Sequence, residues 1–203
     1  MKRIHYFSGV TLSLFIGVHL SNHLLVLGSE AGHIAFMEAA RKVYLHPIAE
    51  TLILLACLVQ TYSGIQLVRK KGWKQTRRFD KLHVYSGLYL AVFLIAHPTA
   101  ILILRYYLQL DTNLYLGAVT VNMMPILLFF MPYYMLGILS FFVHIACIHR
   151  IKIAAYRPKY SPNKQAYLII GFGLLISILI ILGLTNFGQG MEIPQIYRDL
   201  YGG

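Results

Sequence analysis

Five apolar stretches, each long enough to cross a bilayer, dominate this chain and leave little room for any other fold. They run near 5–28, 44–68, 83–107, 124–149 and 164–186, and about 20 apolar residues make one transmembrane helix. Charged residues make up only 12% of the 203, half of what a soluble domain carries (about 25%). A water-soluble globule and a disordered chain are both excluded. The connections between the stretches are short, so the expected fold is all-α: a single transmembrane domain over 1–203, built as a five-helix integral membrane bundle. The first stretch is too long for the apolar core of a cleaved leader and lacks a small-x-small cleavage site, so it is read as a retained span.

A net charge of +11 would point to nucleic acid in a soluble protein, but here the charge sorts by membrane side. Lys2 and Arg3 precede span one. Arg69, Lys70, Lys71, Lys74, Arg77, Arg78 and Lys81 fill the second connection, and Arg150, Lys152, Arg157, Lys159 and Lys164 the fourth. Only Arg41, Lys42, Arg105 and Arg198 fall on the other side, and Asp80 is the only acid on the basic side. Positive-inside reasoning places the N-terminus in the cytoplasm and the C-terminus outside. The basic face has two readings, attraction to anionic lipid or docking of an acidic partner protein; nucleic acid is not expected. Cys57 and Cys147 lie inside apolar runs and are read as core residues.

An internal repeat carries the chemistry. His5-Tyr-Phe-Ser8-Gly9-Val-Thr-Leu12-Ser-Leu-Phe15-Ile-Gly-Val-His19 aligns with His83-Val-Tyr-Ser86-Gly87-Leu-Tyr-Leu90-Ala-Val-Phe93-Leu-Ile-Ala-His97 at one shift of 78, with six identities in fifteen positions. This predicts that spans 1–2 and 3–4 arose by duplication. At 100° per residue Ser8, Leu12, Phe15 and His19 share one stripe, as do Ser86, Leu90, Phe93 and His97. Spans one and three run in the same direction, which sets His19 and His97 at one depth, roughly 21 Å from the inner end. Two imidazoles level with each other on parallel helices can approach one iron from opposite faces of a macrocycle, so His19 and His97 are the expected axial ligands of a haem. Ionisable groups at membrane depth tend to be functional.

The other polar residues fall into weaker groups. His5 and His83 sit at the inner interface and His144 inside the inner end of span four, where a second haem is geometrically allowed. Ser8 and Ser86 share the ligand stripe, although small residues of this kind also let helices approach closely. His23 lies one turn outward from His19, as a supporting group, a quinone contact or a substitute ligand. Glu50, the carboxylate inside a span, lies near His46 at the outer start of span two and is a candidate proton relay, or simply a helix N-terminal acid. His33 falls in an outer connection and receives no role. Pro125 and Pro132 are expected to kink span four.

Ser-Gly followed by a histidine ten residues after the Gly, as in Ser8-Gly9 to His19 and Ser86-Gly87 to His97, resembles the cytochrome b membrane subunit of succinate dehydrogenases and fumarate reductases, of the single-chain, five-span type. The opening His5-Tyr-Phe-Ser-Gly is similar to the family's His-Arg-x-Ser-Gly, with Tyr6 in place of the Arg. The resemblance implies haem b on His19 and His97, distant from the catalytic subunits, and electron transfer between an iron–sulfur subunit and membrane quinone. It also implies a flavoprotein and an iron–sulfur subunit docked on the cytoplasmic face, in a bacterial inner membrane. Dihaem members carry a second pair in a His-x-x-x-Gly-Ile pattern on spans two and four. Here span two reads Gln60-Thr-Tyr-Ser-Gly64-Ile65, with Gln in the ligand position. One haem in the outer half is therefore expected, and an inner one would need His144 with His5 or His83. The rivals are a self-standing dihaem b-type cytochrome pairing His5 with His83 and His19 with His97, and a cofactor-free anchor or transporter. Nucleotide loops and nucleophile constellations are absent from the sequence, so the chain is not expected to be catalytic alone.

Overall fold

The computed structural model describes residues 1–156 and 159–202; Arg157 of the basic face lies outside the described residues. The chain is all-α. Five of its helical segments are long and apolar enough to cross a membrane: Lys2–Leu25, Pro47–Lys71, Arg78–Tyr107, Leu127–Tyr156 and Pro162–Leu184. The α-helices within them are α1 (Lys2–Leu25), α3 (Pro47–Lys71), α4 (Arg78–Leu102), α6 (Leu127–Ile153) and α7 (Pro162–Leu184). α4 runs on as a π-helical turn, Ile103–Tyr107. Side chains such as Phe7, Leu14, Leu52, Leu58, Val92 and Leu168 stand exposed along these helices. This inverts the rule for a soluble bundle and suits a surface bathed in hydrocarbon.

Helix ends follow local chemistry. Pro47 and Pro162 open α3 and α7 at the first turn, where a missing N–H costs nothing. Ser161 accepts from Lys164 N to cap α7. The fourth span begins at Leu127 rather than 124, because Met123–Ile126 form a turn; Pro125 lies in that turn and Pro132 inside α6.

Two stretches expected as plain connections are helical. α2 (Glu30–Tyr44) is capped by Ser29, whose hydroxyl accepts from Gly32 N, and it buries His33 and Met37 one turn apart. At about 1.5 Å per residue its fifteen residues are too short to span. α5 (Leu114–Asn122) buries Leu114, Leu116, Ala118, Val119, Thr120 and Val121. Asn122 donates to Leu184 O at 2.8 Å, fixing α5 against the end of α7. Tyr197, in the short α8 (Gln195–Arg198), donates to Asp111 O at 2.9 Å and folds the C-terminal segment over the same cluster.

α1 packs on α3, α3 on α4, α4 on α6, and α6 on α7, while α7 returns to α1. That last contact is close, since a Cβ on Gly183 would run into the Val26 side chain. The largest buried cluster joins α5 with Ile176, Ile180, Ile181 and Leu184 of α7 at the end of the bundle away from the basic loops. A second, smaller cluster sits mid-bundle, where Leu12, Ala56 and Cys57 meet Ile16, Ile53 and Leu94. This apolar layer divides the histidines into two tiers.

Candidate functional site

In the tier away from the basic loops, α1 and α4 bring His19 and His97 together edge-on, ring centroids 6.3 Å apart and planes at 62°. Each ring lies on a phenylalanine one turn back along its own helix. Phe15 stacks on His19 at 5.7 Å and 18°, and Phe93 on His97 at 5.0 Å and 15°. The i, i+4 spacing places these pairs side by side, and the stacking fixes where each imidazole points. Phe93 fits because Gly137 of α6 has no side chain: a Cβ there would fall 2.6 Å from the ring.

The same tier holds His33 and Asn22, which sequence reasoning did not join to it, beside His23, which it did. His23 meets His19 at 4.7 Å between centroids and His33 at 5.4 Å. His33 comes from α2 and is 1% exposed. Burial, with the neighbouring His19 second, pushes its imidazole down to about 4, so it is neutral at physiological pH. Both ring nitrogens of His33, Nδ1 of His23 and Oδ1 of Asn22 are buried without a hydrogen-bond partner. Each such atom costs about 1–3 kcal/mol unless something pairs with it; three of the four belong to the neighbouring rings of His23 and His33, and Asn22 precedes His23 on α1. The signal available in the sequence was Ser29, an N-cap followed by His33 and Met37 at helical spacing.

The tier near the basic loops is built differently. Ser63 donates to Val59 O, so its oxygen is free to accept from His5 Nδ1 at 2.9 Å. That tautomer leaves His5 Nε2 as an acceptor, and Gln60 Nε2 fills it at 3.2 Å. Gln60 Oε1 in turn accepts from Ser8 at 2.6 Å. His144 is the ring that meets both neighbours, 6.4 Å from His5 and 4.6 Å from His83 between centroids. Ser86 donates to His83 O at 3.2 Å. The two serines of the ligand stripe thus serve this tier and do not touch His19 or His97. Gly9 lies against Gln60 and Gly87 against His144, where a Cβ would come within 3.3 and 3.1 Å, so the Ser-Gly pairs act as close-approach points.

Glu50 and His46 stand apart from both tiers. Glu50 receives Arg105 at 3.0 Å on one oxygen and Tyr106 at 2.7 Å on the other. Arg105 and Arg41 converge on Thr112, and Arg41 pairs with Asp111 at 2.8 Å. Glu50 therefore ties α3 to the end of the third span and to the chain before α5. His46 is exposed and borders an apolar hollow with Lys42, Ile48, Ala49 and Leu52.

At the opposite end, Lys71 engages Asp80 at 2.7 Å. Lys152 lies over the Tyr6 ring at 4.4 Å and Arg150 over Phe79 at 4.5 Å. Among the described residues no group of three or more His, Cys, Asp or Glu side chains is placed to hold a metal ion. A flat macrocycle asks only for a pair of imidazoles, since its own nitrogens fill the remaining positions. With metal–imidazole bonds of about 2 Å on each face and the ring centre a little farther out, such a pair has centroids roughly 6 Å apart. No family model, curated protein or solved structure matches the chain.

Proposed function

We propose that the chain is the haem b-carrying membrane subunit of a succinate dehydrogenase/fumarate reductase-like complex. It passes electrons between a cytoplasmic iron–sulfur subunit and membrane quinone. The observation that carries this reading is the 6.3 Å separation of His19 and His97 on two different spans. His19 and His97 would be the axial ligands, with Phe15 and Phe93 setting the planes of their rings. Haem b held there supplies a one-electron carrier near the outer side of the membrane.

The tautomer set by Ser63 and Gln60 occupies the Nε2 lone pair of His5, which favours one haem over two. The basic loops form the cytoplasmic face that receives the iron–sulfur and flavoprotein subunits. With Asp80 already engaged by Lys71, the field of that face stays positive. Lys152 sits over Tyr6 and brings a cation from α6 to the neighbourhood where the family's opening motif carries Arg. Among the residues expected at a quinone, His46 is exposed beside an apolar hollow, whereas Glu50 is engaged in its ion pair. The single-domain bundle, its origin by duplication and its place in a bacterial inner membrane belong to the same proposal.

A reduced-minus-oxidised spectrum with haem quantified per chain tests it. One haem per chain is expected, lost in both His19→Ala and His97→Ala. Two haems per chain would favour the dihaem cytochrome, and a chain without a Soret band would be a cofactor-free anchor or transporter. Co-purification of an acidic flavoprotein and a ferredoxin-like subunit tests the partner assignment.

A further inference from the structure

We infer that His33 of α2, with Asn22 and His23 of α1, forms a carboxylate pocket for the propionate arms of the haem; this rests on the haem reading above. Three observations converge on it. The unpaired atoms are concentrated here: both nitrogens of His33, Nδ1 of His23 and Oδ1 of Asn22. Asn22 and His23 lie three and four residues beyond His19, so they stand directly over the ligand on one stripe, about one turn farther along the helix. His33 and Asn22 are 1% and 8% exposed, so whatever pairs with them belongs to something already inside the bundle.

The chemistry selects the partner. A neutral imidazole with both nitrogens unpaired always has one N–H to donate, whichever tautomer it takes. The Asn22 amide presents two more donors when turned by half a revolution, an orientation fixed only by its partner. A cluster able to donate in this way fits a group that only accepts, and a carboxylate is such a group. A quinone carbonyl also accepts, but a quinone must exchange with the lipid, and a side chain 1% exposed is poorly placed to meet a ligand that comes and goes. A macrocycle held at His19 would stay in place, and its carboxylate arms would be acceptors of the kind this stripe can meet.

The test is the titration of the full-length apoprotein in detergent with haem b and, separately, with its dimethyl ester, followed by the Soret band. The wild-type chain is expected to prefer the free acid by at least about tenfold, the size of one charge-assisted hydrogen bond. His33→Leu should bring the two affinities close to parity, with ester binding unchanged as the check that the bundle is intact. His33→Asn, which keeps a donor, should retain most of the preference. A preference that His33→Leu leaves untouched overturns this inference alone. Absence of a Soret band with both haems in the wild-type chain overturns the haem reading and this inference with it.

Discussion

Replacing Gly137 by alanine is expected to strain the bundle at the candidate site although it adds one methyl group to the helix opposite. The new Cβ would lie 2.6, 2.9 and 3.0 Å from Cε2, Cδ2 and Cζ of Phe93. The ring has little room to yield, because His97 covers it at 5.0 Å between centroids and Tyr133 at 4.8 Å. Overpacking of this kind costs about 1–3 kcal/mol. Against it stands the gain from Gly to Ala inside a helix, about 1 kcal/mol at most, so the net effect is destabilising and the displaced ring presses on His97. The decisive form is a double-mutant cycle with Phe93→Leu, read by reversible unfolding in mixed micelles. Gly137→Ala should cost about 1–2 kcal/mol alone and become neutral or favourable once the ring is gone, a coupling of at least about 1 kcal/mol. Effects that add within about 0.5 kcal/mol would refute the wedge and the claim that Gly137 exists to admit Phe93.

Three further outcomes follow from contacts already described. Gln60→Leu removes the partner of both Ser8 and His5; Ser8 can fall back on Ile4 O at 3.0 Å, so the loss falls on His5 and should reach about 1–2 kcal/mol in the same unfolding assay. Glu50→Gln leaves Arg105, whose side chain is 21% exposed, with Thr112 and no carboxylate. It should destabilise by about 1–2 kcal/mol, well below a fully buried pair, and a Glu50→Gln/Arg105→Gln chain should lose less than the two single changes together. His33 has a folded pKa of about 4, below its ordinary 6.5. Its contribution is therefore fully present above about pH 6.5 and lost as the pH falls toward 4. A His33→Gln chain should show a shallower acid loss over that window than wild type, measured on the apoprotein, in which His23 meets the His33 ring and His19 acts on it through its charge.

The spans were legible because hydrocarbon solvation demands a long apolar run and nothing short of that run will serve. The level of His19 with His97 was legible too, since one shift of 78 residues fixes helical phase and depth together. α2 and α5 were harder to see. α2 carries Glu30, Glu38, Arg41 and Lys42 and hides a narrow buried stripe of His33 and Met37, which a search for uniform hydropathy passes over. α5 is nine residues of ordinary apolar sequence, and it is a helix because Asn122 and the end of α7 hold it, a tertiary cause that no local pattern announces. His33 received no role because a lone imidazole between charged residues reads as surface; its meaning comes from His23, a neighbour ten positions away whose approach depends on the Val26–Ser29 turn. Gln60, by contrast, stood out as the wrong side chain for a ligand, and the reason for its presence appeared only with the hydroxyls of Ser8 and Ser63 around His5.

The layer of Leu12, Ile16, Ile53, Ala56, Cys57 and Leu94 lies between the two histidine tiers where α1, α3 and α4 meet. Hydrogen ions hop between oxygen and nitrogen atoms, and that seam offers them only a thiol. Electrons tunnel through aliphatic packing without needing such stepping stones. On the proposed redox reading, a seam of this composition would admit electrons while holding back protons between the two histidine tiers.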